Sequence, residues 1–176
     1  MATRLEDLLV EFAVRQFPAG TRTAQDAALA IGCSLGQIVK SLVFVAGGRP
    51  VVALVSGSNR LDPLRLAQLA GEPVAKADAD LTRASTGYAI GGVPPFGHVQ
   101  KLPVFVDRDL LRFDIVWAAA GRPDSVFAVV PSRLLELSGG ELCDLKEPGT
   151  GTVGTSKIEP DSPPPDNRAG RGKENR

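Results

Sequence analysis

The chain has no excess of charge of either sign. Its 176 residues carry 20 lysines and arginines against 20 aspartates and glutamates, and the segment 147–176 holds five of each sign, so the remainder is balanced as well. A protein that grips nucleic acid chiefly through phosphates shows a cationic surplus or stripe, because this electrostatic contribution dominates such affinity. The composition therefore argues against a strongly basic nucleic-acid binder, and any RNA would be bound locally or with assistance.

Cysteines and long apolar runs are also scarce. The two cysteines, Cys33 and Cys143, match neither a disulfide framework nor the spacing of zinc ligands, so we expect reduced thiols and no bound metal. No apolar stretch approaches the length of a membrane span, and charged residues occupy the first turn of the chain, so we expect no membrane association and a cytoplasmic location. The glycine fingerprints of phosphate-binding and dinucleotide-binding loops are missing too.

What is present is enough apolar sequence for one domain. Apolar residues make up 43% of the chain and charged residues 23%, which is typical of a globular protein of this length. Residues 147–176 differ, because they contain five prolines, five glycines and only three aliphatic residues. Such a segment cannot bury enough apolar surface to offset the entropy of ordering the chain. We therefore predict one domain over residues 1–146 and a disordered tail over 147–176.

The N-terminal region has the spacing of two helices. Apolar residues at helical intervals predict a first helix over 5–17, with Thr3 as its N-cap. Thr23, with Asp26 three residues later, predicts a second helix that ends at Ile31 before a glycine.

Strands and helices then mix along the chain. Two β-branched runs at 41–46 and 51–56, separated by a Gly-Gly-Arg-Pro turn, predict a hairpin of two central strands. The other predicted elements are a helical turn at 35–39, helices at 63–70, 78–84 and 131–137, strands at 104–106, 115–117 and 126–130, and a loop at 88–97. The strands pair through short turns without regular βαβ alternation. This pattern predicts an α+β fold, a single compact domain with a mixed, largely antiparallel central sheet flanked by helices.

Two local features have the chemistry of a binding site. Lys40 begins a strand whose neighbouring residues alternate into the core, so its ammonium has a fixed direction and suits a phosphate or a developing oxyanion. The loop 91–97 (GGVPPFG) combines glycines, which allow close approach to backbone amides, with stiffening prolines. Each feature also has an ordinary explanation, a solvated lysine at a strand end and a rigid surface turn.

His98 is the one histidine and directly follows this loop. Its near-neutral titration suits a proton shuttle or a hydrogen-bonding clamp. An imidazole that only satisfies backbone groups is the simpler interpretation. No serine–histidine–acid triad can be assembled from the spacing.

Three strings together resemble one family. They are 37–42 (QIVKSL), Leu61-Asp62 at the start of a helix, and 85–97 (STGYAIGGVPPFG), and their order and separation are similar to those of the YbaK/ProX family of aminoacyl-tRNA deacylases. The same domain is found inserted in bacterial prolyl-tRNA synthetases. The resemblance extends from about residue 23 to residue 137, and its most specific part is the Thr-Gly-Tyr…Gly-Gly-x-x-Pro block.

The resemblance implies a freestanding trans-editing hydrolase of the YbaK/ProX type, with no metal or organic cofactor. Its substrate would be the 3′ end of a mischarged aminoacyl-tRNA, such as tRNA-Pro carrying Cys, Ala or a similar small amino acid, with prolyl-tRNA synthetase as a partner. Lys40 takes the position of the family lysine, and Gly91, Gly92 and Pro95 would complete the catalytic set. The implied substrate-binding residues are Thr86, Gly87, Tyr88, Val93, Pro94, Phe96, Gly97 and His98.

The resemblance also leaves alternatives open. The cysteine-selective branch of the family has glutamine where this chain has His98, so the choice of amino acid is not fixed. A domain that keeps the pocket but acts as a tRNA- or synthetase-binding adaptor is the main alternative to an enzyme. Hydrolysis of a small aminoacyl ester unrelated to tRNA is a third reading.

Overall fold

Two β-sheets form the framework of the protein, in a computed structural model that describes residues 5–17 and 23–149. The helices are α1 (Leu5–Leu9), α2 (Ala24–Ile31), α3 (Pro63–Ala70), α4 (Ala79–Thr86) and α5 (Pro131–Ser138). The strands are β1 (Val14–Gln16), β2 (Val39–Ala46), β3 (Arg49–Ser56), β4 (Val74–Lys76), β5 (Val104–Asp107), β6 (Val116–Ala119), β7 (Ser125–Val129) and β8 (Glu141–Cys143). Across these two ranges, no helix has both the length and the apolar character that a bilayer crossing requires.

The larger sheet is mixed and the smaller one is antiparallel. The larger sheet has the order β4-β2-β3-β5-β8, with β3 antiparallel to β2 but parallel to β5, which in turn is parallel to β8. The smaller sheet has the order β1-β7-β6. A single parallel bridge between Ile38 and Trp117 connects the two sheets just before β2 begins. This agrees with the predicted α+β fold and its mixed sheet.

Alternation along β3 explains why the core lies on both faces of the larger sheet. Val52 and Leu54 face a cluster shared with the smaller sheet, whereas Val51, Ala53 and Val55 face a second cluster built with α3. All five side chains are buried. Successive residues of a strand point to opposite faces, so the sequence of a strand that is covered on both sides is a continuous apolar run. β3 therefore occupies the centre of the molecule.

Capping residues set the starts of the helices largely as predicted. Thr23 and Asp26 form a reciprocal capping box at α2, and Gly32 ends that helix with a left-handed φ of 79°. Asp62 caps α3 through the Leu64 amide, and Asp78 caps α4 through the Leu81 amide. The predicted strands and the helix at 131–137 are present with boundaries that shift by one or two residues.

The first predicted helix is wrong in its second half. α1 ends at Leu9, and Val14–Gln16 forms β1, which pairs with β7. The predicted cap at Thr3 lies outside the described residues, and so does the predicted tail beyond Gly149. The predicted turn at 35–39 is shorter, a 3₁₀ turn over Leu35–Gln37.

Candidate active site

A cavity of about 490 Å³ opens where β2 meets the smaller sheet. One wall is the first half of β2, including Lys40, and a second wall is the loop after α4, including Gly91 and Val93. Trp117 of β6 and Ala27 of α2 also line it. The predicted lysine and part of the predicted glycine–proline loop therefore line the same cavity.

The cavity exists because one edge of β2 is only half covered. β4 pairs with Phe44–Ala46 and leaves the earlier residues of β2 without a strand on that side. The Val43 carbonyl accepts from the Ala77 amide across this edge at 3.0 Å. Backbone polar groups alternate in direction along a strand, so Ser41, two residues earlier, points its N–H and C=O the same way, toward the cavity. Its buried hydroxyl oxygen has no hydrogen-bond partner among the described residues.

Lys40 is half-buried, and its position is fixed by a hydrogen bond. Its ammonium donates to the backbone carbonyl of Asn59, in the turn that follows β3. Burial lowers the pKa of Lys40 below its ordinary value, and the negative charge of Asp107 partly opposes this effect. The result is a partly desolvated cation at the cavity, which interacts more strongly with an anion than an exposed lysine would.

A buried polar network holds the Asn59 turn in place. The Asn59 side-chain amide donates to Asp107 Oδ2 at 2.8 Å and to Asp109 Oδ2 at 2.9 Å. Lys146 donates to the same Asp109 oxygen at 2.8 Å, and the Ser56 amide donates to Asp107 Oδ2 at 3.1 Å. Burial alone would raise the pKa of Asp109, but the hydrogen bonds from Lys146 and Asn59 outweigh it and the pKa is lowered. Asp109 is therefore held as a carboxylate.

The loop after α4 has a rigid backbone. Gly91 has a φ of 87°, a conformation that disfavours any side chain, and a Cβ on Gly92 would lie 2.9 Å from the backbone carbon of Arg122. The Tyr88 hydroxyl donates to the Gly97 carbonyl at 3.1 Å and closes the loop. The Gly92 amide donates to the Ala89 carbonyl at 2.9 Å, so it is not free to hold a ligand.

The other predicted site residues shape the loop and lie off the cavity wall. Thr86 is buried, and its hydroxyl donates to the Thr82 carbonyl at 2.7 Å and accepts from the Tyr88 amide at 3.1 Å. Phe96 packs in the core against Phe127, with ring centroids 5.6 Å apart. The residues that support the loop without lining the cavity are Thr86, Gly87, Tyr88, Gly92, Pro94, Pro95, Phe96 and Gly97.

His98 is also placed away from Lys40. It is buried, and its Nε2 donates to the Pro94 carbonyl at 2.8 Å. Burial lowers the pKa of His98, with that hydrogen bond acting in the opposite direction. His98 borders a separate cavity of about 550 Å³ beside α1, and this arrangement matches the simpler interpretation of an imidazole that satisfies the backbone.

Two features of the site were not found from the sequence. Trp117 was assigned only to a strand, yet it lines the cavity, with the guanidinium carbon of Arg15 4.8 Å from its ring centroid. The network around Asn59 joins residues 48 and 50 positions apart, and no local pattern indicates such a pairing.

Taken together, the mixed fold and its lysine-and-loop cavity define a protein suited to stabilising charge on a carbonyl or phosphate group. The model of the aminoacyl-tRNA editing domain matches residues 18–137, and the chain belongs to that family. The predicted family is thereby confirmed.

Relatives span most of the chain. The uncharacterized protein YwhH of Bacillus subtilis (strain 168) is 34% identical over 126 residues, covering 71% of this chain and 80% of YwhH. EbsC of Enterococcus faecalis (strain ATCC 700802 / V583), a candidate Cys-tRNA(Pro)/Cys-tRNA(Cys) deacylase, is 28% identical over 70% of this chain and 76% of its own length. A crystal structure of a candidate trans-editing enzyme for prolyl-tRNA synthetase superposes with a TM-score of 0.75 and 49% identity, covering 77% of this chain and 87% of that one.

These matches confirm the predicted class of activity. The chain is an aminoacyl-tRNA deacylase, a hydrolase that cleaves the ester between an amino acid and tRNA.

Proposed function

We propose that this deacylase acts in trans on tRNA-Pro that carries Cys, Ala or a similar small amino acid, and that Lys40 and the loop at Gly91–Val93 form its catalytic centre. The observation that carries the proposal is the placement of Lys40, Gly91 and Val93 around one cavity. The names of EbsC and of the structural relative, which refer to Cys-tRNA(Pro) and to prolyl-tRNA synthetase, support the choice of substrate.

The proposed reaction is hydrolysis through a tetrahedral intermediate. Water attacks the carbonyl carbon of the aminoacyl ester, the carbonyl oxygen becomes an oxyanion, and the C–O bond to the ribose breaks. The amide of Gly91 or Val93 donates to the oxyanion, because the Gly92 amide is already engaged with Ala89. Lys40 stabilises the oxyanion or the terminal phosphate. The free hydroxyl of the terminal ribose orients or activates the water, and the proton passes to the departing ribose oxygen.

Recruitment of the tRNA depends little on the overall charge of the domain. The chain is neutral, so phosphate attraction contributes less than in a basic RNA-binding protein. Prolyl-tRNA synthetase would present the mischarged end and compensate for this weak attraction. Strong, salt-sensitive tRNA binding by the isolated protein would contradict this part of the proposal.

Replacing Lys40 tests the proposed centre. A panel of tRNAs mischarged with Cys, Ala and Ser is incubated with the wild type, with Lys40→Ala and with Lys76→Ala, which changes an exposed lysine on β4 of the same sheet. We expect Lys40→Ala to lower kcat by about 100-fold or more, as the loss of one oxyanion-stabilising group does. Lys76→Ala should match the wild type. Full activity of Lys40→Ala would exclude the catalytic role, and a wild type inactive on every tRNA would favour an adaptor.

A further inference from the structure

Arg15 and Trp117 form a stacked pair beside the cavity. Arg15 is on β1 and Trp117 on β6, on either side of β7, and the guanidinium carbon lies 4.8 Å from the centroid of the indole ring. The strand register explains the contact. Arg15 lies opposite Val126 of β7, and Val126 lies opposite Ala119 of β6. Trp117 is two residues before Ala119 and therefore points to the same face of the sheet. These residues share one face of the smaller sheet.

This face continues directly into the cavity. Trp117, Ala119 and Val126 all line it, whereas the alternate residues Val116 and Phe127 are buried on the other side of the sheet. The backbone of Trp117 also bridges to Ile38, two residues before Lys40. A ligand whose reactive group reaches Lys40 therefore has the indole beside it.

The cation in this pair is open to a ligand. Arg15 is exposed, and no carboxylate in the described part of the chain forms an ion pair with it. Arg122, in the turn between β6 and β7, differs because it is paired with Asp124 at 3.0 Å. One side of the Arg15 guanidinium rests on the indole, and its charge is left for a partner of opposite sign.

Unpaired nucleotides have the matching chemistry. Their bases stack on aromatic rings and on guanidinium planes, and their phosphates carry the opposite charge to arginine. Base–aromatic stacking does not depend on which base is present, so an arginine–tryptophan pair can bind a single-stranded end without reading its sequence.

We propose that Arg15 and Trp117 bind the unpaired 3′-terminal nucleotides of the substrate RNA, with a base stacked on the pair and Arg15 facing a phosphate. This subsite rests on the proposed function, because it supplies the nucleotide end of a substrate whose ester lies at Lys40. It also accounts for how a protein without a cationic surplus holds RNA locally.

Intrinsic fluorescence tests the subsite directly, because Trp117 is the one tryptophan of the chain. The trinucleotide CCA, which carries no amino acid, is titrated into the wild type, Arg15→Gln and Arg49→Gln, the last being an exposed arginine on the β2–β3 hairpin. We expect saturable quenching of the wild type and of Arg49→Gln. Arg15→Gln should bind CCA about tenfold more weakly, the size expected for one stacking contact.

Kinetics provide a second readout on full-length mischarged tRNA. Arg15→Gln should raise KM by about tenfold and leave kcat within about twofold, because it weakens nucleotide binding without touching the ester. Unchanged CCA affinity and unchanged KM in Arg15→Gln would overturn the subsite even if the wild type deacylates normally. If CCA quenched the fluorescence of a protein that deacylates no tRNA, the result would support the subsite and contradict the proposed function.

Discussion

Asn59 links the carboxylates of the interior to the cation of the cavity. Its side-chain amide is held by Asp107 and Asp109, and its backbone carbonyl accepts from Lys40. A hydrogen bond to a charged group contributes more than one between neutral groups, so two such bonds fix the turn firmly. Asn59 thus positions Lys40 without belonging to the cavity wall.

We expect Asn59→Ala to lower the free energy of unfolding by about 2–3 kcal/mol, because two hydrogen bonds to carboxylates are lost from a buried site. Urea unfolding measures this difference. Ser58→Ala is the matched control, since Ser58 is exposed in the same turn and makes one long contact, 3.3 Å, to the Ser56 hydroxyl. It should unfold like the wild type. Equal stability of the two variants would show that the hydrogen bonds of the Asn59 side chain contribute nothing to the free energy of unfolding.

The same comparison has a defined pH dependence. Asp109 has a pKa lowered in the folded protein relative to its ordinary 3.8, so its interactions stabilise the fold above that value. The stabilisation is lost as the pH falls through the lowered folded pKa. The difference between wild type and Asn59→Ala should therefore be complete at pH 6 and shrink below about pH 4.

At the scale of elements, local patterns identified most helices and strands but not the short edge strands. Val14–Gln16 lies in a run with helical spacing, yet its three residues are exposed and pair with β7 more than a hundred positions later. Val74–Lys76 and Glu141–Cys143 are equally short and depend on their partners β2 and β5. A strand of three residues has too few positions to show alternation, so tertiary pairing decides it.

The same limit applies to the site. Lys40 and the glycine–proline loop were predictable because each carries its signal within a few residues. Trp117 and Arg15 meet only because β7 separates β6 from β1, and Asn59 meets Asp107 only across β3 and β5. The sequence therefore indicated the groups that we propose to react, whereas the residues that position them or extend the cavity could be identified only from the topology.

The loop that faces Lys40 is set by close backbone packing at Gly92. A methyl group there would lie 2.9 Å from the Arg122 backbone, so Gly92→Ala must displace the loop. We expect a loss of deacylation of about tenfold or more, because small misplacements of catalytic groups are costly. Gly32→Ala is the control, since it has open space and a φ of 79° and should cost only about 1 kcal/mol of stability at the end of α2. Normal kcat/KM in Gly92→Ala would refute the requirement for a fixed loop.

At the scale of the whole molecule, packing continues beyond the part that matches the family. The match ends at residue 137, whereas Leu145 is fully buried and Lys146 donates to Asp109. The Leu145 carbonyl accepts from the Asp62 amide at 2.8 Å, at the start of α3. The segment after α5 therefore stabilises the polar network of Asn59, Asp107 and Asp109 that positions Lys40. In addition, β8 forms the outer strand of the larger sheet.

Two truncated chains test the contribution of this segment to stability separately from that of the predicted tail. A chain that ends at Gly149 should keep the unfolding midpoint in urea and the deacylation rate of the full chain, because the described packing is retained. A chain that ends at Gly140 loses β8, the buried Leu145 and the Lys146 contact, and should unfold at a clearly lower urea concentration.

A single substitution tests the same segment. Leu145→Ala should lower the free energy of unfolding by about 2–5 kcal/mol, whereas Leu142→Ala, at a partly exposed position on β8, should change it little. If the chain ending at Gly140 were as stable and active as the chain ending at Gly149, the domain would be complete within the family match, and Lys146 would have no part in holding the site.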